Sequence, residues 1–249
     1  MKNRELIVHN NPKSPTSEAY RTLRTNIQFS NIDKNIKSIV VTSSGPGEGK
    51  STVISNLSIT MAQVDKKVLL IDADLRKPRI HKVFSLFNNN GLTTVLSENL
   101  DYKEVIISTG IGNLDILTSG PIPPNPAELL GSNKMKEFLE KIKEDYDVIL
   151  LDAPPVGMVT DAAVLSTKCD GLILVCAVGQ AIKEAAINAK ELLQNVNANI
   201  LGVVMNKVPT NEGGYYKYHY YNYYQAYCEE EETGPRRRNK RKKATGGNL

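Results

Sequence analysis

The stretch that decides the fold is Val41-Thr42-Ser43-Ser44-Gly45-Pro46-Gly47-Glu48-Gly49-Lys50-Ser51-Thr52. An apolar run leads into it and a helix-compatible run leaves it. Glycines let backbone N–H groups wrap an anion, and the N-terminus of the following helix adds positive potential. The general phosphate-loop pattern is G-x-x-x-x-G-K-[ST]. Gly49-Lys50-Ser51 satisfies its end, whereas Ser44 stands where the first glycine belongs and Gly45 follows it. In this chemistry Lys50 reaches the β- and γ-phosphates and Ser51 ligates Mg²⁺. Residues 45–52 are therefore the expected nucleotide-binding segment. A plain glycine turn is the competing reading, and the order strand, loop, helix argues against it.

Working outward, Ser38 to Val41, Val68 to Ile71, Val148 to Leu151, Leu172 to Ala177 and Ile200 to Met205 are short runs rich in Val, Ile and Leu. Such runs mark strands buried on both faces. Between them, Ala185, Ala189, Leu192, Leu193 and Val196 recur at helical spacing. Asn125-Pro126-Ala127-Glu128 reads as a helix start with an N-cap Asn and Pro in first position. The fold class is thus α/β, a doubly wound, mostly parallel sheet with helices on both faces. Its ligands are expected beyond the carboxyl ends of the strands. The organisation expected is an N-terminal segment over 1–35 with a helix near Glu18 to Phe29, a phosphate-loop domain over 36–208, and a mobile tail over 209–249.

Three carboxylates follow strands. Asp72 and Asp74 lie two apart after Val68–Ile71, and strand periodicity would point both to one face. Asp152 follows Val148–Leu151. Together they would repel one another, and a divalent cation such as Mg²⁺ would relieve that. Asp72 or Asp74 alone would more often be a loop cap.

The apolar fraction is 41% and the charged fraction 23%, both ordinary for a globular chain. No window reaches the ~18 continuous apolar residues of a membrane helix, and no leader peptide is evident, so a cytoplasmic protein is expected. Cys169, Cys176 and Cys228 suit neither a disulfide framework nor a zinc site. Cys169 and Cys176 are expected to be small buried residues. The net charge of +4 is uneven: residues 229–249 carry seven bases against four acids. The remaining chain is nearly neutral, which argues against nucleic acid as a partner.

Eight of the eleven tyrosines fall within thirteen residues: Tyr215, Tyr216, Tyr218, Tyr220, Tyr221, Tyr223, Tyr224 and Tyr227. No packed element needs such a run, and when extended it reaches at most ~45 Å. It reads as a phosphoacceptor segment. An aromatic tail that stacks on single-stranded nucleic acid with Arg236 to Lys243 is the competing reading. Glu18, Arg21 and Arg24 recur every three residues, and the bland reading is a Glu18–Arg21 surface pair.

Taken together these residues resemble the bacterial tyrosine kinases of capsular and exopolysaccharide biosynthesis. The resemblance rests on the Walker A run Thr42 to Ser51, the D-x-D-x-R run Asp72, Asp74 and Arg76, and the hydrophobic-D-x-x-P run ending in Asp152 and Pro155. It also takes in the E-x-x-R-x-x-R run Glu18, Arg21 and Arg24, and the tyrosine cluster. It implies transfer of phosphate from ATP to tyrosine on the chain itself and on other proteins, with Lys50, Asp72, Asp74 and Asp152 catalytic. Asp72 would be the base, with Ser51, Asp74 and Asp152 holding Mg²⁺ and Asn206-Lys207 beside the adenine, where a plain strand-end turn is the competing reading. It further implies a ring-shaped homo-oligomer contacted through Glu18, Arg21 and Arg24. A separate membrane-anchored activator would recruit the chain to the membrane, and a phosphotyrosine phosphatase would reverse the modification. A partitioning or positioning ATPase is the alternative, but Gly45-Pro46 stands where such proteins carry a second loop lysine. A non-enzymatic nucleotide-binding scaffold is a further one, and intact Lys50, Ser51 and the three aspartates argue against it.

Overall fold

The computed structural model describes residues 5–30, 35–98 and 100–209. These residues contain seven strands in one sheet: β1 (Ser38–Ser43), β2 (Val68–Asp72), β3 (Ile107–Ser108), β4 (Leu114–Leu117), β5 (Val148–Asp152), β6 (Gly171–Ala177) and β7 (Ile200–Asn206). The order across the sheet is β3-β4-β2-β5-β1-β6-β7. Every pairing is parallel except that of β3 with β4. The phosphate-loop strand β1 lies between β5 and β6, so the carboxyl ends of β2, β5 and β1 stand side by side.

Along the central strands alternate residues enter separate cores, as the two-residue period demands. Val40, Leu69, Ile71, Ile149, Leu151, Leu172 and Leu174 enter one core. Ile39, Val41, Val68, Leu70, Leu150, Ile173 and Val175 enter the other. The second face is covered by α1 (Ile7–Asn10), α2 (Pro15–Phe29), α3 (Lys50–Ala62) and α4 (Ile80–Val83). The first is covered by α5 (Leu92–Glu98), α6 (Tyr102–Val105), α7 (Pro126–Gly131), α8 (Asn133–Asp145), α9 (Asp161–Ser166) and α10 (Lys183–Asn195).

The five strands read from apolar runs are all present. β3 and β4 were not visible in the sequence. Asn125 takes the N-cap position of α7, but its side chain caps no backbone N–H and instead donates to Glu128 at 3.1 Å. Pro126 supplies the start of that helix. Cys176 is buried, as expected, while Cys169 is only partly so.

α3 is enclosed almost all round, since α1 and α2 lie over its outer side. Its buried polar residues are bonded accordingly. Asn56 Oδ1 accepts from the Val8 amide at 3.0 Å, and Asn56 Nδ2 donates to the Glu5 and Thr52 carbonyls. Residues up to Val208 form one compact unit, and the chain divides there. Among the described residues no helix is long and apolar enough to cross a membrane.

Candidate active site

β1 hands the chain directly to α3 through the loop Ser44–Gly49. Gly47 and Gly49 hold φ of +74° and +90°, a left-handed backbone that side chains disfavour. The irregular Ser44 is explained by what it touches. It is buried and its hydroxyl donates to Glu48 Oε1 at 2.5 Å. The same oxygen accepts the Gly45 amide, and Glu48 Oε2 accepts the Ala177 amide at 3.0 Å from the end of β6. The Glu48 side chain is thus a staple beneath the loop, and any phosphate contact from this residue falls to its backbone.

Two backbone amides bind different oxygens of Glu48, so the staple needs a carboxylate. Glu48→Gln can satisfy only one of them and turns its own N–H₂ on the other. An unmet buried donor costs about 1–3 kcal/mol. For a domain of this size the melting temperature should fall by on the order of 5 °C, read by calorimetry, with weaker nucleotide binding. An unchanged melting temperature would show that the staple carries no stability.

Lys50 opens α3, and its ammonium donates to Asp74 Oδ2 at 2.9 Å and to Asp152 Oδ1 at 3.2 Å. Ser51 Oγ donates to Asp152 Oδ2 at 2.6 Å. Asp152 ends β5 and is wholly buried, and Asp74 is nearly so. The repulsion expected among the carboxylates is therefore met first by Lys50. Burial pulls the Lys50 pKa down, but Asp152 and Asp74 outweigh it, so the net shift is upward. Burial pushes Asp152 up, opposed by Lys50 and by the Ser51 hydroxyl.

Asp72 ends β2 and Asp74 lies in the following loop, and both turn to the side of α3 and α4, as expected: Ala73 and Leu75 enter the opposite core, Asp74 meets Lys50 of α3, and Asp72 meets the amides that begin α4. Asp74 Oδ1 accepts the Lys77 amide at 3.0 Å. Asp72 is fully buried, and its Oδ2 accepts the Arg79 and Ile80 amides at 3.0 and 2.9 Å where α4 begins. Its Oδ1 is buried without a hydrogen-bond partner among the described residues. Burial first, and the charge of Asp152 second, push Asp72 up to about 8. Arg76 forks onto Asp161 at the start of α9, both bonds at 2.9 Å. That pair fastens the loop after β2 to the segment after β5, and Asp161 was missed because nothing in its spacing marks it.

Asn206 ends β7 and donates to the Glu48 carbonyl at 2.8 Å. Thr52 lies in the first turn of α3, half-buried. Glu18 and Arg21 pair within α2 at 2.8 Å, and Arg21 also donates to the Pro12 carbonyl. Arg24 donates to the Thr60 carbonyl near the end of α3 at 2.7 Å, an attraction a helix C-terminus offers any cation. Replacing Arg24 therefore removes an intramolecular contact as well as any contact between subunits. The tyrosine cluster from Tyr215 to Tyr227, Cys228 and the basic run from Arg236 to Lys243 lie outside the described residues.

Among the described residues no group of three or more His, Cys, Asp or Glu is set to hold a metal alone. The oxygens of Ser51, Asp152 and Asp74 nevertheless suit Mg²⁺, a hard ion that takes one or two carboxylates and completes its shell with phosphate and water.

A glycine loop between a parallel strand and a buried helix, opened by Lys50 and Ser51 and faced by a strand-end aspartate, defines a P-loop nucleotide-binding protein. The AAA domain family matches residues 36–201. The tyrosine-protein kinase YwqD of Bacillus subtilis is 46% identical over 216 residues, 87% of this chain and 91% of that protein. The kinase domain of the Escherichia coli tyrosine kinase ETK superposes with a TM-score of 0.81 at 34% identity, covering 86% of this chain and 84% of that one. The chimerical protein CapA2B2 gives a TM-score of 0.80 at 43% identity, covering 82% and 90%. The chain belongs to the bacterial tyrosine-protein kinases and is a protein-tyrosine kinase; the positioning-ATPase reading is not favoured.

Proposed function

We propose that this kinase moves the γ-phosphoryl group of ATP onto the tyrosines at 215–227 of a neighbouring copy, and so regulates capsule or exopolysaccharide synthesis and export. The observation that carries the site assignment is the bonded set Lys50, Asp74, Asp152 and Ser51 at the root of the loop. A bond forms between the tyrosine oxygen and the γ-phosphorus as the bond to the β–γ bridging oxygen breaks. The phenolic proton passes to Asp72, directly or through one water, and ADP leaves. Oδ1 of Asp72 is the atom available for it, since Oδ2 already accepts two amides.

Lys50 neutralises charge on the β- and γ-phosphates, leaving its carboxylate partners when ATP enters. Ser51, Asp152 and Asp74 would hold Mg²⁺, which supplies charge neutralisation on the phosphate oxygens. The loop amides would orient the phosphates, and Asn206 would contact the adenine. Phosphoryl transfer depends chiefly on positioning and charge, so a P-loop frame serves a kinase as well as a hydrolase. Glu18, Arg21 and Arg24 would contact the next subunit of a ring. A separate membrane-anchored activator would bring the chain to the inner face of the membrane. A phosphotyrosine phosphatase would reset the tail.

The test mixes two chains. One carries Lys50→Met with its tail intact, and the other is active but lacks residues 213–249. Labelled phosphate is expected on the tyrosines of the inactive chain, read by mass spectrometry. No transfer in the mixture, with wild type still labelled, would mean that each chain modifies only itself.

A further inference from the structure

The carbonyls from Gly45 to Gly49 each accept a hydrogen bond, and the donors come from four separate places. Ser43 Oγ donates to the Gly45 carbonyl at 2.7 Å. Gln180 Nε2 donates to the Pro46 carbonyl at 2.9 Å, Lys207 Nζ to the Gly47 carbonyl at 2.7 Å, and Asn206 Nδ2 to the Glu48 carbonyl at 2.8 Å. The Gly49 carbonyl accepts the Val53 amide within α3 at 2.9 Å. Lys207 Nζ also donates to Gln180 Oε1 at 2.8 Å, so the lysine and the glutamine act as one strap across the loop.

A trans peptide unit is planar, with its N–H and C=O pointing opposite ways. Fixing a carbonyl to one side commits the amide of the same unit to the other. Gln180 thereby orients the Gly47 N–H, Lys207 the Glu48 N–H, and Asn206 the Gly49 N–H. These are the amides that a phosphate nest of this kind presents to its anion. The glycines fit this strap: a Cβ on Gly47 would lie 3.0 Å from Gln180 Nε2, and one on Gly49 would collide with Asn206.

Lys207 itself holds φ of +54°, a left-handed conformation that costs a non-glycine residue about 1–2 kcal/mol. That turn, one residue past the end of β7, is where the lysine reaches back over the loop. Strain kept at a polar residue beside a binding loop is a mark of function.

We infer that Lys207, acting with Gln180, is a positioning residue for the nucleotide's phosphates. Its ammonium stands on the carbonyl side of the loop and acts on the phosphates through the backbone amides it orients. The inference rests on nucleotide binding at this loop and not on tyrosine as the acceptor.

The experiment titrates Mg²⁺-ADP into the full chain carrying Lys207→Met, Lys207→Arg or Gln180→Ala, and records nucleotide-free melting temperatures. Both Lys207→Met and Gln180→Ala should weaken ADP binding, the lysine change by about tenfold, the loss of one charge-assisted hydrogen bond. Melting temperatures should stay within about 2 °C, because both side chains are exposed. Lys207→Arg should recover most of the affinity. With a tyrosine peptide as acceptor, Lys207→Met should raise KM for ATP and leave kcat at saturating ATP within about threefold. Wild-type ADP affinity in Lys207→Met would overturn the inference. So would an equal loss in Lys207→Arg, or a fall in kcat with KM unchanged. Altered acceptor choice with a normal ADP titration would bear on the kinase reading alone.

Discussion

Lys50→Met is expected to transfer phosphate to tyrosine about a thousandfold more slowly than wild type while keeping its fold. Methionine preserves the stem and removes the charge. In phosphoryl transfer the protein's contribution is mostly charge neutralisation, and a single well-placed cation or donor accounts for factors of about 10² to 10⁵. The structural cost is smaller. Losing the ammonium leaves Asp74 and Asp152 facing one another, and breaking a buried ion pair costs about 3–5 kcal/mol when the remaining charge cannot escape. Here it can. Burial already raises the proton affinity of Asp152, so a proton can replace the ammonium, while Ser51 still donates to Oδ2. A lowered but cooperative melting transition is expected by calorimetry, together with near-absent phosphotyrosine by mass spectrometry. Wild-type phosphotyrosine in this variant would remove the P-loop from the reaction.

The sequence announced the parts of this site that carry motif spacing and was silent on those that do not. β1, the loop and α3 were legible because a Val-rich run meets Gly49-Lys50-Ser51 in the required order. β4 was not, because Leu114-Asp115-Ile116-Leu117 is short and broken by a half-exposed acid. β3 is two residues long and exists only through pairing with β4.

Asp74 and Asp152 could be named as site residues, but their meeting at Lys50 depends on the order β2-β5-β1, a tertiary fact. That Asp72 and Asp74 point to one side was legible from the two-residue period, which carries on past the end of β2, since Ala73 and Leu75 both enter the opposite core. Gln180 and Asp161 each act on a residue more than eighty positions away. A lone polar residue in a loop gives no sequence signal for such a partner. Glu48 was legible as a loop residue, and only burial reveals that its side chain faces away from the ligand side and into the protein. The N-terminal helix was read correctly as a helix. That Arg24 docks on α3 follows only once α2 is seen lying over it.

Asp72→Asn should reduce turnover by about 10² to 10⁴, the range that a positioned general base contributes, while ADP affinity stays within about threefold. The substitution is close to isosteric and keeps the bonds to the start of α4, but it sets an unpaired buried N–H₂ where an unpaired oxygen stood, so the melting temperature should fall modestly. The Arg79 and Ile80 amides both bind Oδ2, so the asparagine carbonyl can accept both of them. The amide N–H₂ then takes the place of Oδ1, the one atom of this carboxyl with no partner among the described residues. The loop after β2 should keep its course into α4, and Asp74 should keep its bond to Lys50. What disappears is the lone pair that could receive the phenolic proton. A loss confined to the chemical step, with KM for ATP little changed, identifies Asp72 with the acceptor side of the reaction. Single-turnover transfer to a tyrosine peptide, beside an ADP titration and a melting curve on the same preparation, separates the cases. If Asp72→Asn turns over normally, another group takes the proton. If it loses ADP binding and stability together, Asp72 serves the loop–α4 junction and not the chemistry.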